Sequence, residues 1–265
     1  MINKSLEITQ TQFGNFVIDE FDLIGNNIKH NSNWEYHLYQ IYSKLINDES
    51  YCVDAGANIG FHTVQFGFLG KKVYSFEPQS YVYNQLCANI LFNGLDNKIE
   101  AHKLGLGDKQ EKQQLWNIEH EDWVGNGAHN WGGRGIIQDS LDINRATKNE
   151  YREEDIINII TLDSLNIPKC DLMKIDVQGY EYNMLKGSEV LIKNNKPVIF
   201  IENYDGLCGD DIKSQKRERA SIDLLLSWGY KGYRLLMGNN DDCIFTYNTD
   251  VESLLLSLNY KYEII

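Results

Sequence analysis

The part of the sequence most suited to chemistry is a short glycine-containing turn, VDAGANIG, that runs from Val53 to Gly60. An apolar run precedes the turn and a helical pattern follows it, so its glycines would let the backbone approach a ligand at a helix N-terminus. The spacing of Gly56 and Gly60 is not the G-x-G-x-x-G of dinucleotide sites, which disfavours a nicotinamide-dependent oxidoreductase. The carboxylate of Asp54 would repel a pyrophosphate but suits a cationic or amino-bearing ligand.

A second carboxylate, Glu77, ends the next strand-like run about 20 residues beyond the turn, where acidic side chains accept hydrogen bonds from ribose hydroxyls. S-adenosylmethionine carries a sulfonium, an amino acid moiety and a ribose, and therefore meets both requirements. Each feature alone also occurs in turns that bind nothing, which is the structural alternative. Together they predict a site for S-adenosylmethionine at Asp54, Gly56, Gly60 and Glu77.

A third polar group lies in the segment DLMKIDVQGYE, residues 171–181. Strand periodicity places Lys174 and Asp176 on one face, near the carboxyl end of a strand, where open parallel sheets bind their ligands. Glu202 closes the following strand at the same edge. Two interpretations are open: Lys174 and Asp176 neutralise each other in the interior, or Asp176 points at a reacting centre.

These polar groups are positioned by alternating strand and helix patterns. Strands are predicted at 51–54, 73–76, 99–104, 172–175 and 198–201, and helices at 61–68, 81–92, 180–194 and 220–228. Two later strands, 230–236 and 243–247, form an antiparallel hairpin. This pattern is typical of an α/β fold in which helices cover both faces of a mostly parallel sheet. With 265 residues and 42% hydrophobic content, the chain can bury one large core.

The first 47 residues precede this alternation and are predicted to form an N-terminal strand and helix extension to the main domain, 48–265. Ser32 and Glu35 fit the S/T-x-x-E capping box, and apolar residues then recur at helical spacing. A helix is therefore expected to begin just after Ser32 and to end near Asn47.

The region from Leu115 to Asn158 interrupts the alternation between the third and fourth strands. It holds Trp116, Trp123 and Trp131, interleaved with polar residues and glycines. Indole faces cover the apolar surface of sugar rings, so the region is predicted to be a substrate lid over the carboxyl edge of the sheet. The alternative is that the tryptophans only pin a long loop to the core.

Composition limits the partners and the location. The formal net charge is −13 and no basic patch offsets it, so nucleic acid and anionic membranes are disfavoured. Neither a signal peptide nor 18 consecutive apolar residues occur, which predicts a cytoplasmic protein. The five cysteines contain no C-x-x-C pair and are interpreted as reduced, with no metal site expected.

Five motifs, VDAGANIGFHT, FEP, LGLGD, TLDSL and LMKIDVQGYEYNMLKG, occur in the order found in the FkbM-type methyltransferases, which the chain resembles from Trp34 to Glu202. The resemblance implies the class I methyltransferase fold, a Rossmann-like, seven-stranded and mostly parallel sheet. It also implies S-adenosylmethionine as cofactor and O-methylation of a hydroxyl on a sugar, nucleotide sugar, glycan or other natural product. Asp54, Gly56, Asn58, Gly60 and Glu77 match the cofactor-binding positions, and Asp108 matches an acid near the adenine end.

The chain departs from this family where Gln178 replaces the usual glutamate of IDVEG. If that acid acts in catalysis, the role is absent here, and a catalytically silent cofactor-binding module stays open. Because Asp176 remains, an active enzyme is expected, with Asp176 as the first candidate base, His129 as the second, and Lys174 beside them. The predicted acceptor-binding residues are Asn130, Trp131, Arg134, Gln178 and Glu202. A nucleobase N-methyltransferase is disfavoured because no [ND]-P-P-[YFW] turn follows the fourth strand.

Overall fold

The computed structural model describes residues 5–115, 130–136, 156–202, 212–236 and 242–265, with only the backbone of 212–218. The strands are β1 (Leu6–Thr11), β2 (Gly14–Asp19), β3 (Tyr51–Ala55), β4 (Lys72–Phe76), β5 (Ile99–His102), β6 (Gly105–Leu106), β7 (Glu111–Gln114), β8 (Ile156–Ile160), β9 (Leu172–Ile175), β10 (Val198–Glu202), β11 (Lys231–Leu235), β12 (Asp242–Thr246) and β13 (Tyr262–Ile264). The helices are α1 (Leu23–Asn31), α2 (Tyr36–Leu45), α3 (Phe61–Leu69), α4 (Ser80–Phe92), α5 (Glu181–Lys186), α6 (Glu189–Asn195), α7 (Ile212–Ser227) and α8 (Val251–Ser257).

The main sheet has eight strands in the order β13-β11-β12-β10-β9-β3-β4-β5. Five neighbouring strands, from β10 to β5, run parallel, as the alternating pattern predicted. The predicted C-terminal hairpin is present as β11 and β12, and β12 lies antiparallel to β10. The carboxyl ends of the parallel strands therefore meet at one edge, where such sheets bind ligands.

The number of strands differs from the expected seven. The additional strand, β13, pairs antiparallel with β11 at the edge of the sheet. It has three residues, which is too short for an alternating pattern to be recognised in the sequence.

The single helix predicted at 180–194 is two helices in the structure, α5 and α6. They separate at Gly187, where a Cβ would lie 1.8 Å from the backbone oxygen of Gly107.

A second sheet was not predicted. It consists of β6, β8 and β7, with β8 in the centre. Both ends of the region interpreted as an insert adjoin this sheet, because Leu115 directly follows β7 and β8 begins at Ile156. An isolated bridge also joins Leu115 to Ile136. A small core of Leu115, Ile136, Ile157, Ile159 and Tyr180 covers this sheet. The insert is therefore anchored to the fold at both of its ends.

The N-terminal region packs into the same core as the main sheet. Phe16 and Ile18 of β2 are completely buried. Two side chains at the end of α4 bond the β2 backbone: Asn93, which caps the helix, accepts from N of Asn15 at 2.9 Å, and Asn89 donates to O of Val17 at 3.3 Å. Backbone groups that a neighbouring strand would otherwise satisfy are thus paired with side chains.

The expected capping box at the start of α2 was wrong. Ser32 lies at the C-terminal end of α1 with a left-handed φ of 55°. The helix begins at Tyr36, and Glu35 precedes it with φ of 49° and no side-chain cap bond. The Glu35 carboxylate is used elsewhere, since Oε2 lies 2.9 Å from Nε2 of His62. A tertiary hydrogen bond has taken the place of a local cap.

Alternation along the central strands divides the core between the two faces of the sheet. Cys52, Leu172 and Phe200 pack on the face covered by α2, α3 and α4. Met173 and Ile199 pack on the opposite face, against α5, α6 and α7. Each fully buried side chain of this size contributes about 1.5–3 kcal/mol relative to exposure. In the described ranges no helix is long and apolar enough to span a membrane.

Candidate active site

The glycine turn follows β3 and requires residues without a Cβ. Gly56 has φ of 81°, and a Cβ there would lie 1.7 Å from the backbone oxygen of Asp176. The N–H groups of Gly56 and Ala57 both donate to the backbone oxygen of Phe76, at 3.0 and 2.9 Å. Gly60 has φ of 87° and begins α3. The turn is therefore held between the carboxyl ends of β4 and β9.

Glu77 lies directly beside this turn. Its side chain is buried, and its two oxygens accept from N of Asn58 at 3.0 Å and N of Gln79 at 2.8 Å. Burial raises the pKa of Glu77 to about 7, although the two backbone donors oppose the shift. Each oxygen can still accept one further hydrogen bond. Sequence analysis predicted Glu77, Asn58 and Gly56 together, and the structure brings them together.

Asp54 lies beneath the turn, completely buried in β3. One of its oxygens accepts from the Thr63 hydroxyl, and the other, Oδ1, has no hydrogen-bond partner within the described chain. In the sheet Asp54 stands opposite Lys174 of the neighbouring strand β9. Asp108 lies elsewhere, exposed in the turn after β6. No hydrogen bond between described residues connects Asp108 to Glu77 or to the glycine turn.

Four polar side chains cluster where β9 and β10 end. Nζ of Lys174 lies 3.1 Å from Oδ2 of Asp176. Nε2 of Gln178 donates to Oδ1 of Asp176 at 2.7 Å and to Oε2 of Glu202 at 3.3 Å. The side chain of Lys174 is 7% exposed, whereas that of Asp176 is 26% exposed. Lys174 therefore pairs with Asp176 from the buried side, and Asp176 is the member of the pair that a ligand can reach.

The turn that presents Gln178 is held by another acid. Gln178 has φ of 56° and Gly179 has φ of 89°, so both are left-handed. The buried carboxylate of Glu181 accepts from N of Val177 at 3.2 Å and N of Gly179 at 3.0 Å. Burial raises the pKa of Glu181 to about 7. The amide of Gln178 is a donor, which a glutamate in its place would not be unless it were protonated.

The ionisable groups of this cluster differ in the direction of their pKa shifts. Burial alone would lower the pKa of Lys174, but the carboxylates of Asp176 and Asp54 raise it above its usual value. Burial alone would raise the pKa of Asp176, but the Lys174 ammonium holds it below its usual value. Burial and the Asp176 carboxylate together raise the pKa of Glu202 well above its usual range. The site therefore favours the ionised form of Asp176 and the protonated form of Glu202.

Sequence analysis missed two further acids of the site. A small cavity is lined by Glu35 before α2 and Asp242 of β12, together with Lys174, Asp176 and Glu202. Asp242 Oδ2 lies 2.8 Å from Nε2 of His37. The motif that contains Glu35 was interpreted as a cap, and Asp242 stands next to a turn signal. Local patterns therefore gave no indication that either acid faces the site.

The described part of the predicted lid, residues 130–136, lies beside the glycine turn. The backbone N of Trp131 donates to Oδ1 of Asp22 at 3.0 Å, and Gln79 donates to O of Trp131 at 2.9 Å. An NH1 group of Arg134 donates to Oε1 of Gln79 at 3.3 Å. A Cβ on Gly132 would lie 2.7 Å from Nδ2 of Asn58.

Within this segment the Trp131 ring packs on Tyr81, with centroids 5.0 Å apart, and Arg134 lies over it at 5.9 Å. Trp131 is also packed against the core cluster of α2, α3 and α4. Asn130 turns back on its own segment, where its Oδ1 accepts from N of Gly133 at 3.0 Å. The predicted catalytic residue His129 lies outside the described residues. Three predicted acceptor-binding residues, Asn130, Trp131 and Arg134, thus lie in a segment packed beside the glycine turn.

Comparisons with known proteins agree with this geometry. The model of the methyltransferase FkbM domain family matches residues 54–262. "Methyltransferase 1" of Beauveria bassiana (strain ARSEF 2860) is 26% identical over 149 residues, 53% of this chain and 59% of that protein. The crystal structure of methyltransferase FkbM from Methylobacillus flagellatus KT has a TM-score of 0.52 and 18% identity, covering 78% of this chain and 48% of its own.

The two relatives differ from the chain in length. The chain spans 59% of the curated relative that it matches and 48% of the Methylobacillus structure. Agreement with that structure extends to the α/β class I methyltransferase fold. The family match covers most of the chain, including the glycine turn from Asp54, Glu77 and the cluster at the ends of β9 and β10. The chain therefore belongs to the FkbM methyltransferase family, whose methyl donor is S-adenosylmethionine.

Proposed function

We propose that the chain is an S-adenosylmethionine-dependent O-methyltransferase that acts on a hydroxyl of a sugar, nucleotide sugar or glycan. The observation that carries the proposal is the position of Asp176. Its backbone oxygen touches the glycine turn at Gly56, while its ionised side chain faces the cavity between β9 and β10. One residue thus connects the proposed donor site to the proposed acceptor site.

The residues of the turn fit the cofactor. Gly56 lets the turn pass close to the Asp176 backbone with its positive φ, and Glu77 has an acceptor oxygen pair for the two ribose hydroxyls. The unpartnered Oδ1 of Asp54 supplies a buried negative charge for the amino acid moiety. Asn58 and Gly60 complete the turn. Asp108 is proposed to lie toward the adenine end, as the family resemblance suggests.

Bound S-adenosylmethionine supplies a methyl group on a sulfonium, which is already a good leaving group. The chain's residues then need to hold the acceptor oxygen in line and to receive its proton, and positioning alone can supply much of the rate. Asp176 accepts a hydrogen bond from the acceptor hydroxyl and takes the proton. Lys174 keeps Asp176 ionised, and its own raised pKa makes it unsuited as the base. Gln178 orients Asp176 through its amide.

The lining of the cavity supports a hydroxyl-rich acceptor. Carboxyl groups from Asp176, Glu202, Glu35 and Asp242 face it, and carboxylates accept hydrogen bonds from hydroxyl donors. The net charge of −13 argues against a phosphate-rich acceptor such as nucleic acid. Another small-molecule hydroxyl, or a silent cofactor-binding module, is the competing function. The proposed lid, residues 115–158, would cover the acceptor, and its described part already contacts Asn58 and Gln79.

The test is an acceptor screen with methyl-labelled S-adenosylmethionine. The purified chain is incubated with sugars, nucleotide sugars, glycans, natural-product phenols and total RNA, and label transfer is followed by mass spectrometry. Transfer to a sugar oxygen, lost in Asp176→Asn, is the expected result. Transfer to RNA or to phenols alone contradicts the acceptor class. Tight cofactor binding without transfer to any acceptor class favours the silent module.

A further inference from the structure

The N-terminal region supplies part of the proposed acceptor cavity. Glu35 lines this cavity together with Lys174, Asp176, Glu202 and Asp242. The match to the family model begins at residue 54. Glu35 therefore lies N-terminal to the matched region.

The start of α2 is fixed in this position from two sides. Glu35 pairs with His62 of α3, where Nε2 and Oε2 are 2.9 Å apart. His37, two residues later, pairs with Asp242 of β12 at 2.8 Å. Both pairs are largely buried, with side-chain exposures of 8–17%. The two acids are therefore held at the cavity and do not sample solvent as surface carboxylates do.

The carboxyl groups of the cavity outnumber its cations. Asp176 has Lys174 as an ion-pair partner, while Glu35 and Asp242 each have a histidine. Glu202 differs from the others. Within the described part of the chain its side chain bonds the amide of Gln178 and the carboxyl of Asp176, and it forms no ion pair of its own, although Lys174 lies close enough for the two charges to interact. A buried carboxyl of this kind is costly to ionise unless a cation arrives.

An independent feature lies next to these acids. The hydroxyl of Tyr42 on α2 is completely buried and has no hydrogen-bond partner among the described residues. The Tyr42 ring packs on Phe200, which lines the cavity, with centroids 4.8 Å apart, and on His62, the partner of Glu35, with centroids 5.7 Å apart. Burial, followed by the negative charges of Glu35 and Asp242, raises the pKa of the hydroxyl. Its oxygen is an unused acceptor. A buried polar atom without a partner calls for an explanation, and a bound ligand is one.

We propose that the cavity recognises an acceptor that carries a protonated amine beside the hydroxyl to be methylated, and that Glu202 and Glu35 select it. The proposal rests on the proposed function and names its substrate class: an amino sugar unit. The ammonium of the acceptor would act as the ion-pair partner that Glu202 lacks, with Glu35 as a second carboxylate. Its three N–H donors match the acceptors available there.

Methyl transfer to this acceptor accounts for every bond, charge and proton. The bond from the methyl carbon to sulfur breaks as the bond to the acceptor oxygen forms, and the sulfonium becomes a neutral thioether. The hydroxyl proton passes to Asp176 and then to solvent. The ammonium group keeps its protons, so it has no lone pair to attack the methyl carbon, which leaves the neighbouring hydroxyl as the nucleophile.

The experiment compares matched sugars as acceptors. Glucosamine and galactosamine, as free sugars, methyl glycosides and nucleotide sugars, are each paired with the N-acetyl form and with the neutral parent sugar. Label transfer from S-adenosylmethionine is measured at pH 7. We expect the amino member of at least one pair to react about tenfold faster than its N-acetyl partner, because a buried hydrogen bond to a charged group is worth at least that factor.

Variants then assign the preference to residues. Glu202→Gln and Glu35→Gln should each reduce the ratio of amino to N-acetyl sugar toward one, with cofactor affinity unchanged. The matched control is Glu49→Gln, which removes one exposed carboxylate outside the site and should leave the ratio as in the original chain. If Glu35→Gln fails to fold, Asp242→Asn removes another carboxylate from the same cavity and should have the same effect on the ratio.

Two results would overturn the proposal while leaving the proposed function intact: faster transfer to the neutral member of every pair, or an amino preference that survives both glutamate substitutions. Transfer to none of the sugars, with cofactor bound, would overturn both the amine and the sugar assignment. Methylation found on nitrogen would instead contradict O-methylation. These outcomes are separated by locating the label with mass spectrometry.

Discussion

Glu77 provides a sharp test of the cofactor site, because its protonation should change when the cofactor binds. In the free protein, burial raises its pKa to about 7, from an ordinary value of 4.5. Two ribose hydroxyls donating to the carboxylate would favour the ionised form and lower that pKa. At pH 6.5 a group with a pKa near 7 is about three-quarters protonated, so binding should release roughly 0.7 of a proton.

The measurement is calorimetric titration of S-adenosylmethionine in two buffers with different ionisation enthalpies, which reports the protons released. Release should approach zero at pH 8, where Glu77 is already ionised. Glu77→Ala should abolish most of the release at pH 6.5. It should also weaken binding at least tenfold, since hydrogen bonds to a charged group contribute about 1.5–3 kcal/mol each.

The raised pKa of Glu77 also determines how the stability of the protein changes with pH. A raised native pKa stabilises the protein below pH 4.5, and this contribution is lost as the pH rises through 7. The loss amounts to about 3 kcal/mol for a shift of this size. The cofactor should therefore raise the melting temperature more at pH 8 than at pH 6. Equal release of protons by the original chain and by Glu77→Ala would refute the assignment of Glu77 to the ribose.

Three further substitutions test the rest of the site, and a fourth, Gly94→Ala, is a control outside it. Gly56→Ala should prevent normal folding and cofactor binding, because its Cβ meets the Asp176 backbone. Gly94→Ala, with a positive φ but open space, should cost only about 1–2 kcal/mol in urea denaturation. Asp176→Asn should lower kcat about 10²- to 10⁴-fold with cofactor affinity unchanged, and full turnover would place the base elsewhere. Trp131→Ala should lower the unfolding free energy by about 2 kcal/mol because its ring packs on the core; unchanged stability with a higher acceptor KM would assign the ring to substrate recognition.

The sequence predicted those parts of the fold that repeat a simple period. The five parallel strands and the hairpin were located because apolar runs alternate with helical segments and end at turn residues. β13 and the second sheet were missed because their strands are short or fall inside a region interpreted as an insert. The start of α2 was misplaced because a local cap motif lost to a tertiary pair, Glu35 with His62.

Residues of the site were likewise predicted where local sequence patterns locate them and missed where tertiary packing does. Gly56, Glu77, Lys174 and Asp176 stand at strand ends, where position along the chain indicates position in space. Glu35 and Asp242 reach the cavity through tertiary packing of α2 and of β12, and no spacing in the sequence relates them to Asp176. Long-range contacts of this kind do not follow from local patterns.

The anchoring of residues 130–136 has a consequence for redesign. Trp131 is bonded at Asp22 and Gln79, and Ile136 is bridged to Leu115. The long connection is thereby divided into two separate stretches, 116–129 and 137–155, each with fixed entry and exit points. Changes in length or sequence within either stretch therefore begin and end at residues that the fold already holds. Exchange experiments between family members have natural boundaries at Leu115, at 130–136 and at Ile156.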